Sequence, residues 1–221
     1  MISPVVSWLR VLWRKGKSSV AKLYFYYSAM NAGKTTSLLQ SSYNYNERGM
    51  NTLCFLPKCM SVSERGQKIH SRIGIDGGAT CFDESFSFCD FVNGDVTRDK
   101  ISCLLIDEAQ FLTKLQVYEL TDIVDFMNIP ILTYGLRTDF LQNLFEGSKY
   151  LLAWADELIE IKTICFCGKK ATMTARVSSD GRVFNSGEQL AFGGNESYIS
   201  FCRKHYKMSL ERGVALVCED Q

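Results

Sequence analysis

Residues 23–36 read LYFYYSAMNAGKTT, an apolar, aromatic run that passes straight into a Gly-Lys-Thr step. The run predicts a buried strand over 23–27. Leu38, Leu39 and Tyr43 then recur at helical spacing, so a helix is expected to follow, ending at Gly49. A tight turn between strand and helix, with Gly33, Lys34 and Thr35 at the helix start, is the second half of the phosphate-loop pattern G-x-x-x-x-G-K-[ST]. The chemistry has three requirements: backbone N–H groups curling around phosphate oxygens, a lysine for the β- and γ-phosphates, and a hydroxyl for Mg²⁺. The first glycine of the pattern is replaced by Ser28. By itself the stretch is either a nucleotide site that tolerates this change or a glycine-containing turn with a surface lysine.

A second feature in the right order favours the nucleotide site. CLLIDEAQF, residues 103–111, is an apolar strand that ends in Asp107. An acid at the tip of a buried strand is what phosphate-loop enzymes use to hold Mg²⁺. Glu108 beside it could take the proton of a hydroxyl nucleophile or, equally, place a water for hydrolysis.

The rest of the chain to Lys162 alternates between the two periodicities. Further strands are expected in NTLCFL, IPILTYGL and ADELIEIKT, and further helices in KLQVYELTDIVDFMN and LQNLFEGSKYLLAWA. The polar, glycine-rich stretch 61–79 reads as a loop. Alternation of this kind predicts an α/β fold, a parallel sheet with helices on both faces. After Lys162 the pattern breaks into short β runs and turns, so a boundary is expected near Thr163. The expected organisation is an extension over 1–21, an α/β unit over 22–162, a small metal-binding unit over 163–208 and a tail over 209–221.

That second unit carries paired ligand-type residues. Cys165 and Cys167 form one tight pair, and Cys202 and His205 form another. Together they make a Cys₃His set suited to structural Zn²⁺, with no open position for catalysis. Gly168 lets the first knuckle turn close. The remaining thiols, Cys54, Cys59, Cys81, Cys89, Cys103 and Cys218, read as small core or surface residues, and His70 as a solvated loop residue.

The bulk numbers narrow the partners. Net charge is +1, with 46% hydrophobic and 22% charged residues, so a nucleic-acid binder's basic excess is missing. Nine cysteines, an odd number, suit a reducing compartment, which points to the cytoplasm. The basic, acid-free start is too short in its apolar run to span a bilayer, and its charges come in the wrong order for a secretory signal. It shares features with an organelle transit peptide, and the plainer reading is a loosely held tail, dispensable for folding. Trp8, Leu9, Leu12 and Trp13 could form an apolar patch on it.

Taken together, YFYYSAMNAGKTT, SRIG, LLIDEAQFL, QVYEL, YGLRTDF, GSKYLLAWAD, KTICFCGKKA, GGNESY and CRKHY resemble the zinc-containing, cellular-type thymidine kinases, over roughly 22–207. In that family the loop opens on Gly or Ser, so Ser28 lies within pattern. The resemblance implies a phosphate-loop fold with a zinc-held lasso, and transfer of the ATP γ-phosphate to the 5′-hydroxyl of thymidine, with deoxyuridine also accepted. It implies that Ser28, Ala29, Met30, Asn31, Ala32, Gly33, Lys34 and Thr35 hold the ATP phosphates, with Mg²⁺ on Thr35 and Asp107. Asp107, Glu108, Ala109 and Gln110 lie in the matching nucleotide-site motif, and Glu108 is the general base. Met30, Phe111, Leu136, Phe140 and Phe145 match thymine-pocket positions. Ala191, Phe192 and Gly193 match a loop draped over thymidine, and Tyr198 matches a sugar contact. The Cys165, Cys167, Cys202 and His205 zinc would pin that loop, and the oligomer would be a homotetramer.

Two stretches depart from the family. Its Asp-Arg pair after the second strand is replaced by Ser63, Glu64 and Arg65, and residues 1–20 have no bacterial counterpart. A nucleoside-independent phosphate-loop ATPase and an inactive zinc-ribbon binding module are the rival functions.

Overall fold

The computed structural model describes residues 20–60, 68–70, 76–94, 101–187, 189 and 197–216. The basic extension, the Ser63–Arg65 departure, SRIG and Cys218 lie outside the described residues.

The frame is a six-stranded sheet in the order β5-β2-β6-β7-β1-β8, with every neighbouring pair parallel. Its strands are β1 (Leu23–Ser28), β2 (Asn51–Pro57), β5 (Thr80–Phe82), β6 (Ile101–Ile106), β7 (Ile131–Leu136) and β8 (Glu157–Glu160). Successive side chains go to opposite faces, which is why the central strands β1, β6 and β7 are apolar at nearly every position. Leu23 and Phe25 of β1 and Leu104 and Ile106 of β6 pack into one core, together with Val117, Leu120 and Ile123 of α3 (Lys114–Met127) and Leu151 of α4 (Glu146–Trp154). Cys103, Leu105, Leu132 and Tyr134 face the other way and meet Leu38 and Leu39 of α1 (Lys34–Asn46).

Three sequence expectations change. A strand, β5, and a helix, α2 (Phe88–Gly94), occupy a stretch that periodicity leaves unassigned. The stretch expected to be a loop contains a small antiparallel hairpin, β3 (Lys68–His70) with β4 (Asp76–Gly78). The helix expected from Leu141 begins at Glu146. Its first five residues form a turn instead, because the Asp139 carboxylate accepts the Leu141 and Asn143 N–H groups at 2.9 and 2.8 Å. That is the local competition by which an aspartate diverts backbone donors from helix.

Beyond β8 come β9 (Thr163–Ile164), β10 (Lys170–Ala171), β11 (Met173–Val177), β12 (Ser197–Phe201) and α5 (Arg203–Arg212). β9–β10 and β11–β12 are antiparallel hairpins around a separate small core that includes Ala175, Phe201 and Tyr206.

Gln116 ties α3 to its surroundings. Its Oε1 accepts the Thr113 N–H at 3.0 Å, while Thr113 Oγ1 accepts the Gln116 N–H at 3.2 Å, closing a capping box. Its Nε2 donates to the carbonyls of Asp83 and Phe86 at 2.7 and 2.9 Å, and the side chain is 2% exposed. Removing it strands buried polar groups, so Gln116→Ala is expected to lower the unfolding free energy by about 2–4 kcal/mol. The exposed neighbour Leu115→Ala is expected to change it by less than about 0.5 kcal/mol. Urea unfolding midpoints check the contrast, and equal shifts would remove Gln116 from this role.

Candidate active site

The loops leaving β1, β6 and β7 all open at the C-terminal edge of the sheet, where ligand crevices of open α/β sheets form. The first loop runs from Ser28 to Thr35. Gly33 sits at the start of α1 with φ 80°, and Asn31 also has a positive φ, 59°. Only glycine takes the first conformation without strain, and asparagine tolerates it better than most. Lys34 is buried and turns back into the loop, donating to Ser28 Oγ at 3.0 Å and to the Ala29 carbonyl at 3.1 Å. Thr35 Oγ1 donates to Asp107 Oδ2 at 2.9 Å.

Asp107 directly follows β6 and is 2% exposed. Burial and the neighbouring Glu108 carboxylate push its carboxyl up to about 7, against the opposing pull of Thr35, the Glu108 N–H and Lys34. A hydroxyl and a carboxylate in contact at the mouth of a phosphate loop form an oxygen donor set that fits a hard divalent cation such as Mg²⁺.

Glu108 follows in the left-handed region, φ 50° and ψ 41°, and begins a short 3₁₀ turn, Ala109–Phe111. Its carboxylate enters a cavity of about 170 Å³ whose apolar wall is Met30, Phe111, Leu136, Phe140 and Phe145, with Tyr198 at one side. All six were singled out from the sequence, and the fold brings them together with Glu108 and Gln110. Met60, Thr138, Asp139, Thr174 and Gln189 also line the cavity, and the sequence reading assigns them no role of their own. Thr138 and Asp139 fall inside the quoted YGLRTDF, so their place next to Phe140 was the available signal. Nothing local in the sequence marks Met60 or Thr174. Ala191, Phe192 and Gly193 lie outside the described residues. Gln189, two positions before Ala191, donates from Nε2 to Asp139 Oδ2 at 3.1 Å.

The phosphate loop is also held from the second lobe. The Met30 N–H donates to Thr174 Oγ1 at 3.2 Å, Asn31 Nδ2 donates to the Tyr198 carbonyl at 3.2 Å, and Ser200 Oγ donates to the Met30 carbonyl. These three partners sit on the paired strands β11 and β12.

At the base of that lobe Cys165, Cys167, Cys202 and His205 converge, their ligand atoms all within 4.8 Å of one another. Cys167 Sγ and Cys202 Sγ are 3.9 Å apart, and Cys165 Sγ and His205 Nδ1 are 3.4 Å apart. A tetrahedron with Zn–S near 2.3 Å and Zn–N near 2.0 Å has edges of about 3.5–3.8 Å, so the set fits one Zn²⁺. Gly168, φ 77°, closes the knuckle, and the Phe166 ring stacks on His205 at 4.4 Å. The Lys169 backbone N–H helps hold the Cys167 thiol below its usual range.

The thymidine kinase family model matches residues 21–206. Proteins named thymidine kinase from Salmonella typhimurium (strain LT2), Escherichia coli O157:H7 and Shigella flexneri are each 55% identical over 194 residues, covering 88% of this chain and 94% of theirs. The match takes in the phosphate loop, the strand-end acids, the aromatic cavity and the Cys₃His cluster alike, and on this evidence the chain belongs to the thymidine kinase family.

Proposed function

We propose that this chain transfers the γ-phosphate of ATP to the 5′-hydroxyl of thymidine, giving dTMP, and accepts deoxyuridine as well. The observation that carries this reading is the place of Glu108. Its carboxylate stands in an aromatic cavity sized for a pyrimidine, one residue from the acid that bonds the phosphate loop. A base between a nucleoside pocket and a phosphate cradle serves a hydroxyl nucleophile, whereas an ATPase needs no such pocket.

In the step itself the 5′-oxygen bonds to the γ-phosphorus, the bond from that phosphorus to ADP breaks, and the hydroxyl proton passes to Glu108. Loop amides over 28–35 and the Lys34 ammonium face the charge that builds on the transferring group. Thr35 and Asp107 would hold Mg²⁺, which would supply further charge neutralisation. Phe111, Phe140 and Phe145 exclude water from the reacting oxygen, which protects ATP from idle hydrolysis.

The organisation that goes with this is a kinase unit over 22–162 and a zinc-held unit over 163–208. A Zn²⁺ on Cys165, Cys167, Cys202 and His205 would fix the base of β11 and β12, and so the braces on the phosphate loop. We place the protein in the cytoplasm as a homotetramer, acting on thymidine and ATP without nucleic acid or membrane. The odd count of nine cysteines supports the compartment, and among the described residues no disulfide is formed. Among the described residues no helix is long and apolar enough to cross a membrane.

The deciding assay is conversion of ATP to ADP with and without nucleoside. Thymidine should stimulate it strongly and deoxycytidine should not; hydrolysis indifferent to nucleoside would refute the reading in favour of an ATPase. Glu108→Gln is expected to bind both substrates and lose about 10²–10⁴-fold in single-turnover rate. A variant within threefold of wild type would remove Glu108 as the base. For the metal, one Zn²⁺ per chain is expected by elemental analysis of protein purified without added metal. The Cys165→Ser/Cys202→Ser double variant should lose it, and full retention there would place the metal elsewhere.

A further inference from the structure

Glu108 is a non-glycine residue in the left-handed region, a conformation that costs roughly 1–2 kcal/mol. Such strain persists only where the surroundings fix it, and the surroundings here centre on one carboxamide. Gln110 is 2% exposed. Its Nε2 donates to Glu108 Oε2 at 2.6 Å, and its Oε1 accepts the Leu136 N–H at 2.9 Å. The second bond settles the first. A peptide N–H can only donate, so the amide oxygen must face Leu136 and the NH₂ must face the carboxylate.

The neighbouring backbone is shaped around this side chain. A Cβ on Gly135 would stand 2.9 Å from Gln110 Oε1 and 3.0 Å from its backbone nitrogen. A Cβ on Gly147 would stand 2.4 Å from the Ala109 carbonyl and 2.9 Å from that of Gln110. Both glycines therefore let β7 and α4 close on the turn. Ser148 Oγ donates to the Leu136 carbonyl, so both backbone polar groups of that residue are held. Leu136 is itself part of the cavity wall.

We infer that Gln110 is a positioning residue for the proton transfer, not a ligand of the nucleotide. It ties Oε2 of the base to the peptide that carries a wall of the nucleoside cavity. The other carboxylate oxygen, Glu108 Oε1, makes no hydrogen bond among the described residues and is the oxygen left to meet the 5′-hydroxyl. The base and the pocket thus share one rigid reference. This rests on the kinase reading above and replaces the nucleotide-binding role expected for Gln110 from its motif.

The test is Gln110→Met, which keeps the length and bulk of the side chain and removes its hydrogen bonds. Steady-state kinetics with thymidine and ATP should show kcat down by about 10- to 100-fold, the scale of a misaimed catalytic group, with both KM values within about threefold of wild type. The same substitution in the Glu108→Gln background should lower the residual kcat by less than about threefold, because a residue that acts through the carboxylate has nothing left to aim. A rise in either KM with kcat kept would make Gln110 a substrate ligand and overturn the inference. An equal loss in both backgrounds would make its role structural and overturn it as well. Unchanged kcat in an active enzyme overturns the inference alone, whereas a folded wild type that phosphorylates no thymidine overturns the kinase reading together with it.

Discussion

The hydrogen bond from Thr35 Oγ1 to Asp107 Oδ2 joins the start of α1 to the end of β6. β1 and β6 are not neighbours, since β7 runs between them. Two loops that the sheet holds one strand apart are thereby drawn to a single point. The bond also gives a partner to a carboxyl group that burial would otherwise penalise heavily. Even so, desolvation and Glu108 hold Asp107 near neutrality on the pH scale. The molecule keeps this unfavourable acid where a cation and a polyphosphate would relieve it. The phosphate loop, the strand-end acids and the base beside them all take their positions from that point.

The second lobe bears on the same region from the opposite side. Thr174, Tyr198 and Ser200 contact three successive features of the phosphate loop: the Met30 N–H, the Asn31 side chain and the Met30 carbonyl. Their strands end close to the Cys₃His cluster, because β12 stops at Phe201 and Cys202 begins the next turn. The cluster lies next to a small core of its own, in which Phe201 is fully buried. The paired strands β11 and β12 therefore run from the Cys₃His cluster to the phosphate loop.

Much of this was legible in the sequence, and the failures have physical causes. The four central strands β1, β2, β6 and β7 carry apolar residues on both faces because both faces are covered, and such runs announce themselves. The Lys34, Thr35 and Asp107 constellation was legible because its chemistry fixes residue type as well as spacing. The short strand β5 was not, since three residues carry no periodicity. The turn before α4 was missed because the sequence there alternates like a helix, and the Asp139 carboxylate overrides it through two backbone bonds. Met60 and Thr174 reach the cavity from segments far apart in the chain, so no local pattern could mark them. Gln110 was seen as part of a motif, but its partner Leu136 lies on another strand, and only the fold shows which way its amide points.

The left-handed backbone at Glu108 has a consequence on the timescale of lineages. Glycine, asparagine or aspartate would rest more easily in that conformation than glutamate does. Selection for a stable fold and selection for turnover therefore pull in opposite directions at this one position. A duplicated copy of the gene, freed from the need to make product, would drift there early, because the substitution that ends its chemistry also relaxes its backbone. A glycine or asparagine between the strand-end aspartate and the Ala-Gln-Phe turn is the mark by which such a retired relative could be told from a working one.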